Sequence, residues 1–189
     1  MGRYHRLSRL ATAASAAFAL AGCAGTPLEF VRDQPGANFQ RYMAVVIKEF
    51  ENGVGTELPA QIPLQLQVAA EVHLGKCYPG LLRITPKPPT DASDLLVVEG
   101  TITEYREGSK FARFMLIGLG SSKFASDVVF RDGQTGHELA RAKVDLLWAM
   151  GGIVGAMTGI EDLVKKAGAQ VADAIAEKKG VTKAEGCEG

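Results

Sequence analysis

The sequence predicts an α+β fold: one mostly antiparallel sheet of about five strands with two helices packed on one face, in the order β-α-β-β-β-β-α. Three observations carry this. Ala140, Ala142, Val144 and Leu146 alternate with Arg141, Lys143 and Asp145, the period-two signature of a strand with one buried and one wet face. Ile160, Leu163, Val164, Ala167, Gly168, Val171, Ala172 and Ile175 keep helical spacing throughout. Asp132-Gly133-Gln134-Thr135-Gly136 separates two apolar runs and has the composition of a hairpin loop.

The elements follow in chain order. Met1 to Arg9 holds Arg3, Arg6 and Arg9 and no acid, and Leu10 to Leu20 is a short apolar run, the pattern of a secretory signal. The run is too short to span a bilayer, which takes roughly 20 apolar residues. Leu20-Ala21-Gly22-Cys23 then resembles a bacterial lipobox. The resemblance implies cleavage before Cys23, with diacylglycerol on its sulfur and a fatty acyl chain on its new amino group. Ala24 rather than Asp after the cysteine implies sorting to the outer membrane. The expected organisation is a signal at 1–22, a lipidated cysteine and flexible tether at 23–40, a periplasmic domain at 41–180 and a polar tail at 181–189.

Within the domain, Tyr42 to Ile47 reads as a buried strand, stopped by Glu51-Asn52-Gly53 and Gly55. A helix is expected from Gln61–Pro63 to His73, with Gly75 and Pro79 ending it. Its apolar residues divide, with Ile62, Leu66, Ala69 and Val72 on one side and Leu64 and Val68 on another. Leu81 to Thr85 is a short strand, and Pro86, Pro88 and Pro89 form a stiff loop. Leu95 to Tyr105, Phe124 to Phe130 and His137 to Leu147 read as three further strands. The last helix is expected to start from a Thr158 cap with Glu161 closing a capping box, and to end at Gly180.

Charge narrows the function. The chain carries 21 basic and 21 acidic residues, but cleavage before Cys23 removes three bases and no acid. The mature chain is therefore net negative, which excludes an electropositive nucleic-acid surface.

Few constellations suit catalysis. Beyond Cys23, only Cys77 and Cys187 remain, an even pair in an oxidising compartment that admits either a disulfide or two free thiols. His73 and Cys77 share a helical face, but of the preferred zinc ligands only His137 and Cys187 are left to complete a site, so no metal is expected. No Gly-x-Ser-x-Gly elbow supports a hydrolase, and Gly118-Leu119-Gly120-Ser121 lacks the ending of a phosphate loop. Two glycine-rich apolar stretches stand out, Phe111 to Gly120 and Leu146 to Gly159. They read either as buried connections or as an exposed apolar patch, with Trp148, Met150, Ile153 and Val154 as the interface residues of the second reading.

Glu99-Gly100-Thr101-Ile102-Thr103-Glu104-Tyr105, Arg113 before Gly118-Leu119-Gly120-Ser121, Val128-Val129-Phe130-Arg131-Asp132, Gln134-Thr135-Gly136 and Glu138-Leu139-Ala140 together resemble domain of unknown function 4410, a family of bacterial lipoproteins. The diagnostic part is Val98 to Val144, with a Val-x-Gly-x-Ile strand and an Asp-x-x-Thr-Gly hairpin. The resemblance implies an envelope lipoprotein and supplies no established biochemistry. Gly133 after Asp132 departs from the pattern and is expected to loosen the loop. The element order is also similar to the periplasmic core of assembly-type lipoproteins.

The expected function is that of a non-enzymatic outer-membrane lipoprotein on the periplasmic face, binding an envelope protein or its own copies. The alternative is a subunit of an oligomeric secretion, transport or envelope-assembly complex. No cofactor beyond the lipid on Cys23, no small-molecule substrate and no nucleic acid are expected. Cys23→Ser should abolish incorporation of labelled fatty acid and release the protein from membranes; retained label or retained attachment rejects lipidation.

Overall fold

The computed structural model describes residues 28–86, 92–109, 120–148 and 159–187. Ten elements are seen: β1 (Glu29–Asp33), a 3-10 turn (Phe39–Arg41), β2 (Ala44–Ile47), β3 (Glu51–Asn52), α1 (Ile62–Cys77), β4 (Arg83–Ile84), β5 (Leu95–Arg106), β6 (Ser122–Asp132), β7 (Glu138–Trp148) and α2 (Ile160–Lys178). The two helices cover one face of the sheet, as expected. The sheet itself corrects the expectation. It has seven strands in the order β1-β7-β6-β5-β2-β4, with β3 also paired to β5.

The sheet is mixed. β5, β6 and β7 form an antiparallel meander, and β1 adds antiparallel to β7. β2 runs parallel to both β4 and β5, and β3 runs parallel to β5. The cause is α1, which carries the chain back across the sheet between β2 and β4, as a parallel connection requires. β2 is buried on both faces, with Val45 and Ile47 in the main core and Ala44 and Val46 packed with Leu95 and Val97 on the other side. Such two-sided burial suits a strand with parallel neighbours.

Two strands escaped the sequence reading. β1 lies inside the expected tether and is mostly exposed, so it shows no clear alternation. β3 has only two residues. β1 is nonetheless fastened. Lys178 sits over the Phe30 ring at 3.8 Å and pairs with Asp33. The expected tether is therefore corrected from Glu29 to Asp33, because backbone pairing and a cation–π contact hold this strand.

The helices also differ in their ends. α1 runs past Gly75 to Cys77, since burial of Leu74 and Cys77 outweighs one glycine. At α2, Gly159 occupies the cap position and its N–H donates to the Asp162 carboxylate at 2.9 Å. The box expected from Thr158 and Glu161 is thus displaced by one residue, and Thr158 lies outside the described residues. Every apolar position read for α2, from Ile160 to Ile175, is buried.

Glycines set two close approaches. A Cβ on Gly100 would collide with the Phe50 ring and the carbonyl oxygen of Asp127, so only glycine lets Phe50 lie over β5. This accounts for the glycine of Val-x-Gly-x-Ile. A Cβ on Gly133 would meet the Leu95 Cβ and carbonyl oxygen at 2.8 Å, while the Gly133 N–H donates to that same oxygen. Gly133 therefore tightens the hairpin against β5 instead of loosening it.

Asp132 organises that corner. Its Oδ1 accepts from the N–H of Gln134 and of Thr135 and from the Thr135 hydroxyl, at 2.7–3.0 Å. Its Oδ2 accepts from Arg41 and, at 2.8 Å, from the Tyr42 hydroxyl. Burial pushes this carboxyl up, but the Thr135 and Tyr42 bonds and the Arg41 charge outweigh it and hold it below the ordinary range. The same burial and bond to Asp132 push the Tyr42 hydroxyl up to about 12.

A carboxyl with a lowered folded-state pKa stabilises the fold above its unfolded value, and that contribution is lost as pH falls through the folded one. Asp132→Asn should cost about 2–4 kcal/mol at neutral pH. In urea unfolding, its deficit against wild type should shrink below about pH 4, where the unfolded carboxyl protonates. A deficit unchanged at acid pH rejects the charge as the cause.

Candidate functional site

An open groove lies between the helices. α1 presents Ile62, Leu66, Ala70, Leu74 and Cys77 to the core. On its opposite side, Leu64, Val68 and Val72 are 50%, 45% and 61% exposed. Val72, read on the same side as Ile62 and Leu66, instead joins the outward stripe, because the buried series runs 62, 66, 70, 74. A groove of about 850 Å³ runs between this stripe and α2. Its rim carries Lys76, Lys165 and Lys166 together with Glu161 and Asp162. The crossing is close because Gly168 leaves room: a Cβ there would stand 2.6 Å from the Ala69 Cβ.

At the end of this groove a polar cluster joins α1, α2 and the tail. His73 Nε2 lies 2.9 Å from Asp173 Oδ1. The Tyr78 hydroxyl donates to the same carboxylate oxygen at 2.7 Å, and Lys183 pairs with Oδ2 at 3.0 Å. Burial raises the Asp173 carboxyl, but the Tyr78, Lys183 and His73 bonds outweigh it and hold it low. Burial and the bond to Asp173 push the Tyr78 hydroxyl well up. Cys77 and Cys187 form a disulfide with a Cα–Cα distance of 5.5 Å. The tail read as merely polar is thus tied to the end of α1, and the Ala184 N–H donates to the Cys77 carbonyl. In this state neither sulfur is free to join His73 as a zinc ligand.

The opposite face of the sheet is charged and largely self-paired. Glu99 bridges Lys48 and Arg131, Glu138 pairs with Arg141, and Lys123 lies between Glu104 and Asp145. Lys48 chiefly, with help from Arg131, holds the Glu99 carboxyl below its ordinary range against burial. A polar hollow of about 370 Å³ on this face includes Asp127, Glu99, Arg131 and Arg141. His137 is not part of its lining and stays in the hairpin, where its N–H donates to Thr135 Oγ1. Asp127 and His137 therefore form no acid–base pair.

Of the residues read as interface, Trp148 ends β7 and is partly buried against the core. Met150, Ile153 and Val154 lie outside the described residues, as do Leu20, Ala21, Gly22 and Cys23. Among the described residues no three metal-ligating side chains gather, and no helix is long and apolar enough to cross a membrane.

Residues 78–152 match the model of domain of unknown function DUF4410. Over this stretch the chain is similar to that family. The matched stretch contains both the Gly100 approach and the Asp132 hairpin. No curated protein matches the chain. Among solved structures, a PelC dodecamer from Paraburkholderia phytofirmans is similar at 17% identity and a TM-score of 0.53, over 78% of this chain and 95% of that one. Protein XCC0632 from Xanthomonas campestris is similar at 6% identity and a TM-score of 0.52, over 82% and 94%. At such identities the likeness is one of fold.

Sequence reading placed His73 and Cys77 on one face but missed Asp173, Tyr78 and Lys183. His73 and Asp173 stand 100 residues apart, and no local pattern joins them. The outward stripe did leave a signal, in the apolar residues of α1 that would not fit a single face. Gly168→Leu should force α1 and α2 apart and cost about 1–3 kcal/mol in chemical unfolding; an unchanged midpoint rejects the close crossing.

Proposed function

We propose that this chain is a non-enzymatic, lipid-anchored subunit of an envelope assembly, and that it associates with a second copy of itself through the α1–α2 groove. The single observation that carries the reading is α1, which is apolar on two opposite faces. One face is covered by the sheet, and Leu64, Val68 and Val72 on the other are left open. A helix apolar on both sides is expected to be buried on both.

The groove favours a like partner. Its rim carries lysines and carboxylates together, so a two-fold related copy can set Lys76, Lys165 and Lys166 against Glu161 and Asp162. The PelC fold, similar to this one, occurs in a dodecamer. The lipobox reading supplies the location, at the periplasmic face of the outer membrane. From Cys23 to Glu29 the chain can reach at most about 20 Å, which confines the domain to the neighbourhood of the bilayer and raises its local concentration.

A photocrosslinking residue at position 68, activated in intact cells, should yield species at multiples of the chain mass. Val68→Asp should abolish oligomers in light scattering of the purified protein while leaving the melting temperature within a few degrees. Monomer alone at every concentration rejects self-association. Persistent oligomers in Val68→Asp reject this groove as the interface, and a crosslinked species of another mass points to a different envelope partner.

A further inference from the structure

The disulfide is chemically lopsided, and its surroundings bear on what it does. Cys77 is 1% exposed, whereas Cys187 is partly exposed at the end of the tail. His73 Nδ1 lies 3.7 Å from the sulfur of Cys77, the buried partner. The other ring nitrogen faces Asp173 at 2.9 Å, which orients the imidazole. Asp173 is itself held by Tyr78 and Lys183. Sulfur, imidazole and carboxylate thus stand in series across α1 and α2.

We infer that Cys77–Cys187 is a directed thiol-exchange site, in which Cys187 is the attacked sulfur, Cys77 the leaving sulfur and His73 its proton donor. The substrate class is a thiol or dithiol reductant. Its thiolate attacks Sγ of Cys187 and a new sulfur–sulfur bond forms there. The Cys77–Cys187 bond breaks and its electron pair passes to Cys77 Sγ. With both ring nitrogens of His73 protonated, the Nδ1–H faces that sulfur and is delivered to it or held against the thiolate. The products are a mixed disulfide on Cys187 and a thiol on Cys77. A second thiol of the reductant then attacks the mixed disulfide, releasing Cys187 and leaving the reductant oxidised by two electrons.

The direction follows from two rules of exchange. Attack goes to the accessible sulfur, and the better leaving group is the sulfur whose thiolate is stabilised by a neighbouring cation. Here access and stabilisation fall on different sulfurs and select one course. Besides Asp173, the charged groups around His73 are Lys183 from the tail and Lys76 on its own helix. Across the groove stand Lys165, Lys166, Glu161 and Asp162 of α2.

The test uses the oxidised mature protein and reduced glutathione. At low conversion, after acid quench and alkylation of free thiols, mass spectrometry of the wild type should find glutathione on Cys187 and the alkyl group on Cys77. The reverse placement, or an even split, overturns the inference without need of any variant. His73→Gln should slow exchange about tenfold at pH 7, once the rate is corrected for the thiolate fraction of glutathione. Equal corrected rates in the two proteins leave the bond a purely structural one and overturn the inference.

Discussion

The buried carboxylate of Asp132 is the contact on which the arrangement of the sheet depends. One oxygen closes the β6–β7 hairpin through the Thr135 backbone and hydroxyl. The other reaches Arg41 and Tyr42, where the N-terminal segment turns into β2. That segment is in turn gripped by α2, since Lys179 donates to the carbonyls of Phe39 and Tyr42. Lys179 is buried, and desolvation lowers its pKa. A single charge thus sits at the junction of the meander, the parallel edge and the second helix. A buried charge is tolerated there because each of its oxygens is satisfied.

The two faces of the sheet solve different problems. The helix-covered face holds the core, where Phe124, Phe130, Val98, Ile102 and Leu146 meet Leu66, Leu163 and Val171. The other carries acids and bases that neutralise each other across strands, which keeps it soluble and leaves no field of one sign. Unpaired apolar surface is concentrated instead on the outer side of α1. That division leaves an open apolar stripe on the helices and a wet face on the strands.

The cluster at the end of α1 joins distant parts of the chain. His73, Tyr78, Asp173, Lys183 and the disulfide belong to two helices and the tail. The loop closed by the disulfide separates its cysteines by 110 residues, so it removes considerable freedom from the unfolded chain. The same bond joins a partly exposed cysteine to a buried one that lies beside an imidazole.

Much of the fold was legible in the residues, and the exceptions share causes. All five strands that alternate or run apolar are present, and so are both helices, because burial on one face imposes a period that survives in sequence. β1 and β3 were illegible, since an exposed edge strand need not alternate and two residues carry no period. Strand direction was also hidden: β2 is parallel to β5, and the same apolar run would serve an antiparallel neighbour. The glycines at 100 and 133 were visible as letters, but their reasons, Phe50 and Leu95, lie on other strands. By itself the sequence determined two helices and a three-stranded meander. The tertiary structure alone decided which cysteine lies beside His73, which face of α1 stays open and where Asp132 finds its partners. Periodicity reports which side of an element is buried, whereas contact between distant residues exists only once the chain has folded.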